Sequence, residues 1–331
     1  MSPQHRFLPR KQLGFFPTPL VALDRLSDRL GGPRILMKRD DQTGLASGGN
    51  KTRKLEFLIG EAVALSCDTV ITGGAAQSNH CRQTAAAAAS CGLGCHLVLG
   101  GEQPDLPDGN LLLDDLLGAR IHWTGEFRKG EKIPELVEQL ESSGRKPYVI
   151  PYGGSCTTGA VGFVEAVSEL QAQLGELSTS VNCIVFASSS GGTQAGLVVG
   201  KKIFSQKFEL VGIGIDKGEA GEGSFADHVL QLARATAERL ELDADFCLSD
   251  IVVRNEYLGK GYGIVGDIER RAIRLTAETE GILLDPVYTG RAMGGLIDMI
   301  EQGEFSSNDT VIFWHTGGLP ALFSYAKELQ L

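Results

Sequence analysis

Short apolar runs alternate with longer segments of helical period along this chain of 331 residues. The runs are rich in Val and Ile, and most are apolar on both faces, which is typical of parallel strands covered by helices. The predicted strands are 69–74, 95–100, 120–123, 148–151, 182–187, 209–215 and 310–316. This alternation predicts an α/β fold with open, mostly parallel twisted sheets covered by helices.

The segments between the strands carry apolar stripes that we interpret as helix faces packed on a core. One stripe lies within residues 157–174. Another consists of Leu55, Leu58, Ala62 and Leu65. Two glycine-rich segments are predicted to be loops, 100–110 and 216–224.

Charge and composition exclude several classes of protein. Subtracting 41 acidic from 31 basic residues gives a net charge of −10, and the basic residues are scattered, so nucleic acid is not an expected partner. No apolar stretch approaches ~18 residues, and the N-terminal segment lacks the apolar core of a signal peptide, so we expect a cytoplasmic protein without a membrane span. The seven cysteines include no CxxC pair, and no metal site is expected.

Ligands of open parallel sheets bind where the strands end and helix N-termini offer free N–H groups. After the strand 182–187, the stretch "SSSGGTQAGL" supplies glycines for close backbone approach and the hydroxyls of Ser190 and Thr193. This predicts a phosphate-binding loop, although an ordinary strand-to-helix turn explains the same residues. The stretch matches neither the dinucleotide fingerprint nor the lysine-bearing P-loop.

Polar residues also follow the strand 69–74. Ser78 is a plausible helix N-cap, and Asn79 and His80 come directly after it. Capping explains Ser78 alone, whereas three adjacent polar side chains at the mouth of a parallel sheet favour a small-molecule site.

Lys51 follows two glycines and an asparagine and begins a predicted helix, whose dipole disfavours the ammonium form. A partly neutral lysine is a nucleophile toward aldehydes, while most lysines are simply solvated surface groups. Lys54 lies three residues later on the same helix face, so both side chains can point toward one anionic aldehyde such as pyridoxal phosphate.

The last candidates lie late in the chain. Tyr262 lies among glycines in "GKGYG", Tyr288 and Thr289 precede a predicted helix, and Thr316 follows the final predicted strand. Either tyrosine can instead fill the core with its hydroxyl at the rim.

These stretches together resemble the family that contains D-cysteine desulfhydrase and 1-aminocyclopropane-1-carboxylate deaminase, within the tryptophan synthase β-like fold of pyridoxal phosphate enzymes. The resemblance spans nearly the whole chain in the family's order. It runs through "FPTPL", "KRDDQTGLASGGNKTRKLE", "GGAAQSNHCRQTA", "SGGTQAG", "LDPVYTGRA" and "HTGGLPALF".

The resemblance implies a role for each candidate. Lys51 would bind the cofactor aldehyde covalently, Asn79 would contact its ring hydroxyl, and Thr316 would face its pyridine nitrogen. The phosphate would be held by Lys54, Ser190, Gly191, Gly192 and Thr193. The substrate-binding residues would be Ser78, Asn79, His80, Tyr262 and Tyr288. The catalytic residues would be Lys51, Ser78, Tyr262 and Tyr288.

Two positions distinguish the branches of the family. The deaminase pattern has Glu and Leu where this chain has Thr289 and Thr316, so both positions resemble the desulfhydrase. A hydroxyl cannot hold the pyridine nitrogen protonated as a carboxylate does, and a weaker electron sink suits an easily departing thiol of pKa about 8.5. We therefore expect α,β-elimination from D-cysteine, in which Lys51 removes the Cα proton and pyruvate, ammonia and hydrogen sulfide are formed.

Alternatives stay open at this point. The same fold can release sulfite from L-cysteate or open the ring of 1-aminocyclopropane-1-carboxylate, and the D preference follows from the resemblance alone. A binding protein that carries pyridoxal phosphate without turnover is the alternative outside enzymes. We expect a smaller α/β domain at 52–160 inserted into a larger domain of 1–51 and 161–331, with the cofactor in the cleft and a homodimer as the assembly.

Overall fold

The computed structural model of the chain describes residues 8–216 and 224–330. Within these ranges the polypeptide forms two β-sheets, of six and four strands, that are covered by helices. The predicted α/β class with mostly parallel sheets is confirmed. The predicted loop at 216–224 lies, apart from its two end residues, outside the described residues.

The predicted strands are all present, with ends displaced by at most two residues. The strands are β1 (Leu20–Ala22), β2 (Arg34–Arg39), β3 (Thr69–Ala75), β4 (Gly94–Gly100), β5 (Arg120–Trp123), β6 (Pro147–Val149), β7 (Cys183–Ser188), β8 (Glu209–Gly214), β9 (Val252–Arg254) and β10 (Thr310–His315). The sequence patterns missed β1, β2 and β9. Two of these have only three residues, and β2 contains Lys38, which is buried beside Glu169 instead of being solvated.

Strand order shows how the two sheets share one chain. The large sheet has the order β1-β2-β10-β7-β8-β9 and is parallel except for the β1–β2 pair. The small sheet has the order β5-β4-β3-β6 and is parallel throughout. The strands of the small sheet lie between β2 and β7 in the chain. The domain limits at 51/52 and 160/161 stay a prediction.

Helices fill the connections between the strands. They are α1 (Asp24–Leu30), α2 (Lys51–Ala64), α3 (Asn79–Ser90), α4 (Gly109–Leu116), α5 (Ile133–Ser142), α6 (Thr157–Glu176), α7 (Gly192–Ile203), α8 (Phe225–Arg239), α9 (Asp267–Glu280), α10 (Thr289–Glu301) and α11 (Leu319–Ser324). None of these helices combines the length and apolar character that crossing a bilayer requires.

The large sheet is buried on both faces because alternate residues of each strand enter different cores. Leu36 and Ile312 pack in one apolar cluster, whereas Met37 and Phe313 pack in the other. The predicted stripe on α2 is buried except at Leu65, which follows the helix and is half exposed.

A buried ionic network attaches α2 to the large sheet. The Arg53 guanidinium donates to both oxygens of Asp40, at 2.8 and 2.7 Å, and to both oxygens of Glu169, each at 2.9 Å. It also lies 4.5 Å from the centre of the Phe16 ring. Burial opposes the ionised carboxylate of Glu169, but the hydrogen bonds and charge of Arg53 lower its pKa to about 2. Because Arg53 is two residues from Lys51, the network also holds the start of α2 in place.

Substituting Arg53 tests this network. Arg53→Met leaves the buried Asp40 carboxylate without its cation and Glu169 with Lys38 alone, so we expect a loss of about 3 to 5 kcal/mol in the free energy of unfolding, measured by urea titration. Arg271 is the control, because its ion pair with Glu301 is exposed and Arg271→Met should cost less than about 1 kcal/mol. Equal losses for the two variants would contradict a special role for Arg53.

Candidate active site

The carboxyl ends of β3, β7 and β10 open into one cavity between the two sheets. The empty space in this cavity, counted together with solvent at its mouth, is about 610 Å³. The lining residues are Asn50, Lys51, Ser78, Asn79, His80, Tyr152, Gly153, Ala187, Ser188, Ser189, Ser190, Gly191, Thr193, Tyr288 and Thr316. Of the predicted site residues, only Lys54, Gly192 and Tyr262 are not in the lining. Lys54 bonds Gly153 of the lining, Tyr262 bonds Tyr288, and Gly192 follows Gly191 in the chain.

Two lysines of α2 lie side by side at the base of the cavity. Lys54 Nζ donates to the Gly153 carbonyl at 3.0 Å and to Ser155 Oγ at 3.2 Å, and Lys51 Nζ lies 3.4 Å from the same carbonyl. Burial lowers the pKa of Lys51 to about 8, and burial with the charge of Lys51 lowers the pKa of Lys54 further. We expected the helix dipole to act on Lys51, but burial is the main cause.

No carboxylate of the described residues forms an ion pair with Lys51 or Lys54. Two adjacent amines in a low-dielectric site disfavour each other's charged form, and an anion bound between them would relieve this. The pair therefore favours an anionic ligand.

The loop after β7 adds backbone donors to the same place. Gly191 has a φ of +84°, which favours glycine, and α7 begins at Gly192. A Cβ atom at Gly192 would lie 2.9 Å from Lys54 Nζ, so only glycine leaves this space open. Ser155 Oγ donates to Ser190 Oγ at 2.7 Å and accepts from the Gly192 N–H at 3.0 Å. Free N–H groups, hydroxyls and a lysine thus converge as a phosphate site requires.

The polar residues after β3 are oriented by neighbours on the small-sheet side. Ser78 is the N-cap of α3, as predicted, and its hydroxyl accepts from the Cys81 N–H at 3.2 Å. The side-chain oxygen of Asn79 accepts from Asn110 Nδ2 at 2.9 Å. Because the side-chain oxygen of Asn79 is held in this way, the side-chain NH₂ group of Asn79 points in a fixed direction.

The ring of His80 is neutral and has a defined tautomer. Burial and the two lysine charges lower the His80 pKa well below its ordinary value. The Thr72 hydroxyl donates to the Ile150 carbonyl at 2.8 Å, so it accepts from His80 Nε2–H at 2.9 Å. Nδ1 of His80 then carries a lone pair that no described residue bonds.

Two tyrosines form one hydrogen-bonded unit. The hydroxyls of Tyr262 and Tyr288 lie 2.7 Å apart, and their rings meet edge to face with centroids 6.0 Å apart. Burial raises the pKa of both phenols well above the ordinary value, so both stay protonated at neutral pH. Tyr288 is fixed by Asp285, whose carboxylate accepts from the Tyr288 N–H at 2.9 Å. Tyr262 therefore reaches the cavity through Tyr288.

The two branch-determining threonines have different environments. Thr316 lines the cavity, and its carbonyl accepts from the Asn50 N–H at 3.0 Å. Thr289 does not line it, because its hydroxyl is bound to Asp285 at 2.7 Å where α10 begins. Only Thr316 can act directly on a bound ligand.

Several cavity residues were missed in the sequence, among them Tyr152 and Gly153. Both lie three to four residues after the end of β6, so the rule that located the other loops applies here as well. Gly153 has a φ of +64°, and a Cβ atom there would lie 2.3 Å from Ser190 Oγ. Asn110 carries no comparable sequence signal, because it lies in a helix far along the chain from Asn79.

The family model described as "Pyridoxal-phosphate dependent enzyme" matches residues 11–317. The chain therefore belongs to the pyridoxal-phosphate dependent enzymes, and the cofactor expected from its motifs is confirmed. A D-cysteine desulfhydrase of Klebsiella pneumoniae (strain 342) is 45% identical over 327 residues, which are 97% of each protein. A D-cysteine desulfhydrase of Salmonella choleraesuis (strain SC-B67) is 44% identical over 325 residues, or 96% of each.

Solved structures agree with this assignment. A protein described as an ACC deaminase homologue superimposes with a TM-score of 0.89 at 37% identity, covering 98% of this chain and 96% of that protein. Threonine deaminase isoform 2 from Solanum lycopersicum superimposes with a TM-score of 0.64 at 18% identity, covering 94% and 82% of the two chains, and shares the fold. The family resemblance predicted from the motifs is confirmed.

The lowered pKa of Lys51 predicts how cofactor uptake depends on pH. The neutral amine is the nucleophile, so below pH 8 protonation slows the reaction. The rate constant for reaction of cofactor-free protein with pyridoxal phosphate should rise with pH and reach half its maximum near the Lys51 pKa of about 8. Stopped-flow absorbance over roughly pH 6 to 10 measures this dependence.

Two variants control this measurement. Lys51→Arg keeps a cation without a nucleophile and should abolish the absorbance change, whereas Lys207→Arg at an exposed position should leave it intact. A midpoint near the ordinary lysine value of 10.5 would contradict the effect of burial.

Proposed function

We propose that this protein is a carbon–sulfur lyase that converts D-cysteine and water into pyruvate, ammonia and hydrogen sulfide. The observation that carries the proposal is that Lys51, with a pKa of about 8, lines the same cavity as Tyr288, whose protonated hydroxyl is bonded to that of Tyr262. Lys51 can thus accept a proton while Tyr288 donates a hydrogen bond. Relatives named D-cysteine desulfhydrase, matching 97% of the chain, support the choice of substrate.

The residues of the cavity fit pyridoxal phosphate. Lys54, the N–H groups at the start of α7 and the hydroxyls of Ser190 and Thr193 would hold the phosphate, with Gly191 and Gly192 allowing close approach. Lys51 would bind the aldehyde, and Asn79 the ring hydroxyl. The space that a Cβ atom at Gly192 would fill supports this assignment, because it lies against Lys54 Nζ.

When bound, the cofactor withdraws electrons and stabilises the negative charge that develops at Cα of the substrate. Once the substrate amine has replaced it at the cofactor aldehyde, the Lys51 amine would be free to take the Cα proton, since its low pKa leaves a large neutral fraction near pH 8. Ser78 binds the substrate carboxylate together with the free N–H groups at the start of α3. His80 is adjacent but neutral, so it contributes no positive charge to the binding of the carboxylate.

The departing sulfur carries negative charge that a hydrogen-bond donor stabilises. Tyr288 would donate a hydrogen bond from its hydroxyl to this sulfur, and the Tyr262 hydroxyl, 2.7 Å from that of Tyr288, would keep it in place. Thr316, assigned to the pyridine nitrogen, leaves the ring a weaker electron sink than a carboxylate would. This suits a thiol leaving group and disfavours opening of a cyclopropane ring.

Two further substrates are less well matched. L-Cysteate would bring a sulfonate, and among the described residues lining the cavity there is no arginine to receive it. The similarity to an ACC deaminase homologue favours 1-aminocyclopropane-1-carboxylate as a second candidate, but Thr289 and Thr316 together match the desulfhydrase pattern.

The assembly and location are also proposals. We infer a cytoplasmic homodimer, as the family resemblance implies, with the domain limits given above and the cofactor between the two sheets. The cavity lies between the two sheets. The absence of a membrane-crossing helix among the described residues is compatible with a cytoplasmic location.

A product assay tests the proposed reaction. The purified protein loaded with pyridoxal phosphate should release pyruvate and sulfide from D-cysteine with kcat/KM at least about tenfold above L-cysteine, L-cysteate and 1-aminocyclopropane-1-carboxylate. Pyruvate, 2-oxobutanoate, sulfide and sulfite are measured separately, and Lys51→Arg serves as the inactive control. Faster release of sulfite would identify L-cysteate as the substrate, and faster release of 2-oxobutanoate would identify 1-aminocyclopropane-1-carboxylate. Cofactor absorbance without any product would indicate a binding protein.

A further inference from the structure

Arg128 connects the two sides of the cleft. It lies between β5 and α5, on the small-sheet side, and its backbone packs on the end of β4, where a Cβ atom at Gly100 would lie 2.5 Å from Arg128 Cβ. Its guanidinium extends to the large-sheet side. There Nη2 donates to Asp216, just after β8, at 2.7 Å.

The guanidinium also covers Tyr262. Its central carbon lies 4.5 Å from the centre of the Tyr262 ring, a distance at which a cation is attracted to the ring face. Arg128 does not line the cavity; its Nη2 is paired with Asp216, and its buried Nη1 has no hydrogen-bond partner among the described residues. It contacts the site through Tyr262, whose hydroxyl bonds Tyr288 at 2.7 Å, and it also interacts with Tyr152 in the cavity lining.

Tyr262 lies in a glycine-rich segment, in which Gly259, Gly261 and Gly263 all have positive φ, at 58°, 139° and 71°. Arg291 bonds the carbonyls of Gly261 and Ile264 in this segment, at 3.2 and 2.9 Å. Two polar contacts hold the ring itself, the Arg128 guanidinium on its face and the Tyr288 hydroxyl at its end.

We propose that Arg128 is a positioning residue, which, held by Asp216, keeps Tyr262 hydrogen-bonded to Tyr288 across the cleft. The inference rests on the proposed function, because it takes Tyr288 as the hydrogen-bond donor to the departing sulfur. Without Arg128, Tyr262 would no longer hold the Tyr288 hydroxyl in place. Substrate binding, which depends on Ser78 and the start of α3, is unaffected.

A double-mutant cycle on the loaded enzyme tests this role. Arg128→Met should lower kcat for D-cysteine by about tenfold or more with KM changed less than about threefold. In a protein that already carries Tyr262→Phe, Arg128→Met should lower kcat by less than about twofold, because the residue through which Arg128 acts has already lost its hydroxyl. Arg128→Lys keeps a cation over the ring and should recover part of kcat.

Arg254 provides the matched control. Its guanidinium lies 5.9 Å from the Tyr257 ring and pairs with Glu304, an arrangement similar to that of Arg128 but outside the cavity lining. Arg254→Met should leave kcat within about twofold of the wild type. An equal loss in both variants, additive losses with Tyr262→Phe, or a rise in KM at unchanged kcat would each overturn the proposal.

A readout without turnover separates this inference from the proposed function. Hydrogen–deuterium exchange of the substrate-free protein should increase at 124–132 in Arg128→Met and in the milder Asp216→Asn, but not in Arg254→Met. Unchanged exchange would overturn the cross-cleft contact. If the wild type forms no sulfide from D-cysteine, the proposed function fails, and the kinetic cycle is then run on the substrate that it does convert.

Discussion

The structure depends on the burial of Arg53 between two carboxylates. A guanidinium fully paired in the interior holds α2 against the large sheet, although the same helix begins beside the small sheet. Removing charges from water is costly, so the arrangement persists only because each hydrogen bond of the network is made. Its consequence is that Lys51, two residues away, has one position relative to both sheets.

The buried position of Lys51 and of its neighbours determines the pKa values of the groups in the site. Lys51 and Lys54 lie together without a carboxylate partner among the described residues, so both have lowered pKa values and both favour an anion. The phenols of Tyr262 and Tyr288 are shifted upward by the same burial. An amine of lowered pKa, Lys51, and a protonated phenol, Tyr288, thus line one cavity, which combines a proton acceptor with a hydrogen-bond donor for a leaving group.

Sequence reasoning succeeded where a local pattern has only one structural outcome. Glycine and hydroxyl residues after an apolar strand could be assigned to the mouth of a parallel sheet, and this rule located Ser78, Ser190 and Thr316. It failed for β2, because Lys38 reads as a surface residue until Glu169, 131 positions away, is brought beside it. The cause of the lowered Lys51 pKa was also misassigned, since burial cannot be seen in one dimension.

The sequence by itself determined the α/β class, the cofactor family and most of the residues that line the cavity, because these depend on periodicity and on short motifs at strand ends. Only the tertiary structure decided how those residues are oriented. Asn110 holds Asn79, Asp285 holds Tyr288, and Arg128 reaches Tyr262 from the other side of the cleft. Each of these contacts joins a pair that no repeat or motif links, so their proximity arises only when the two sheets are folded together.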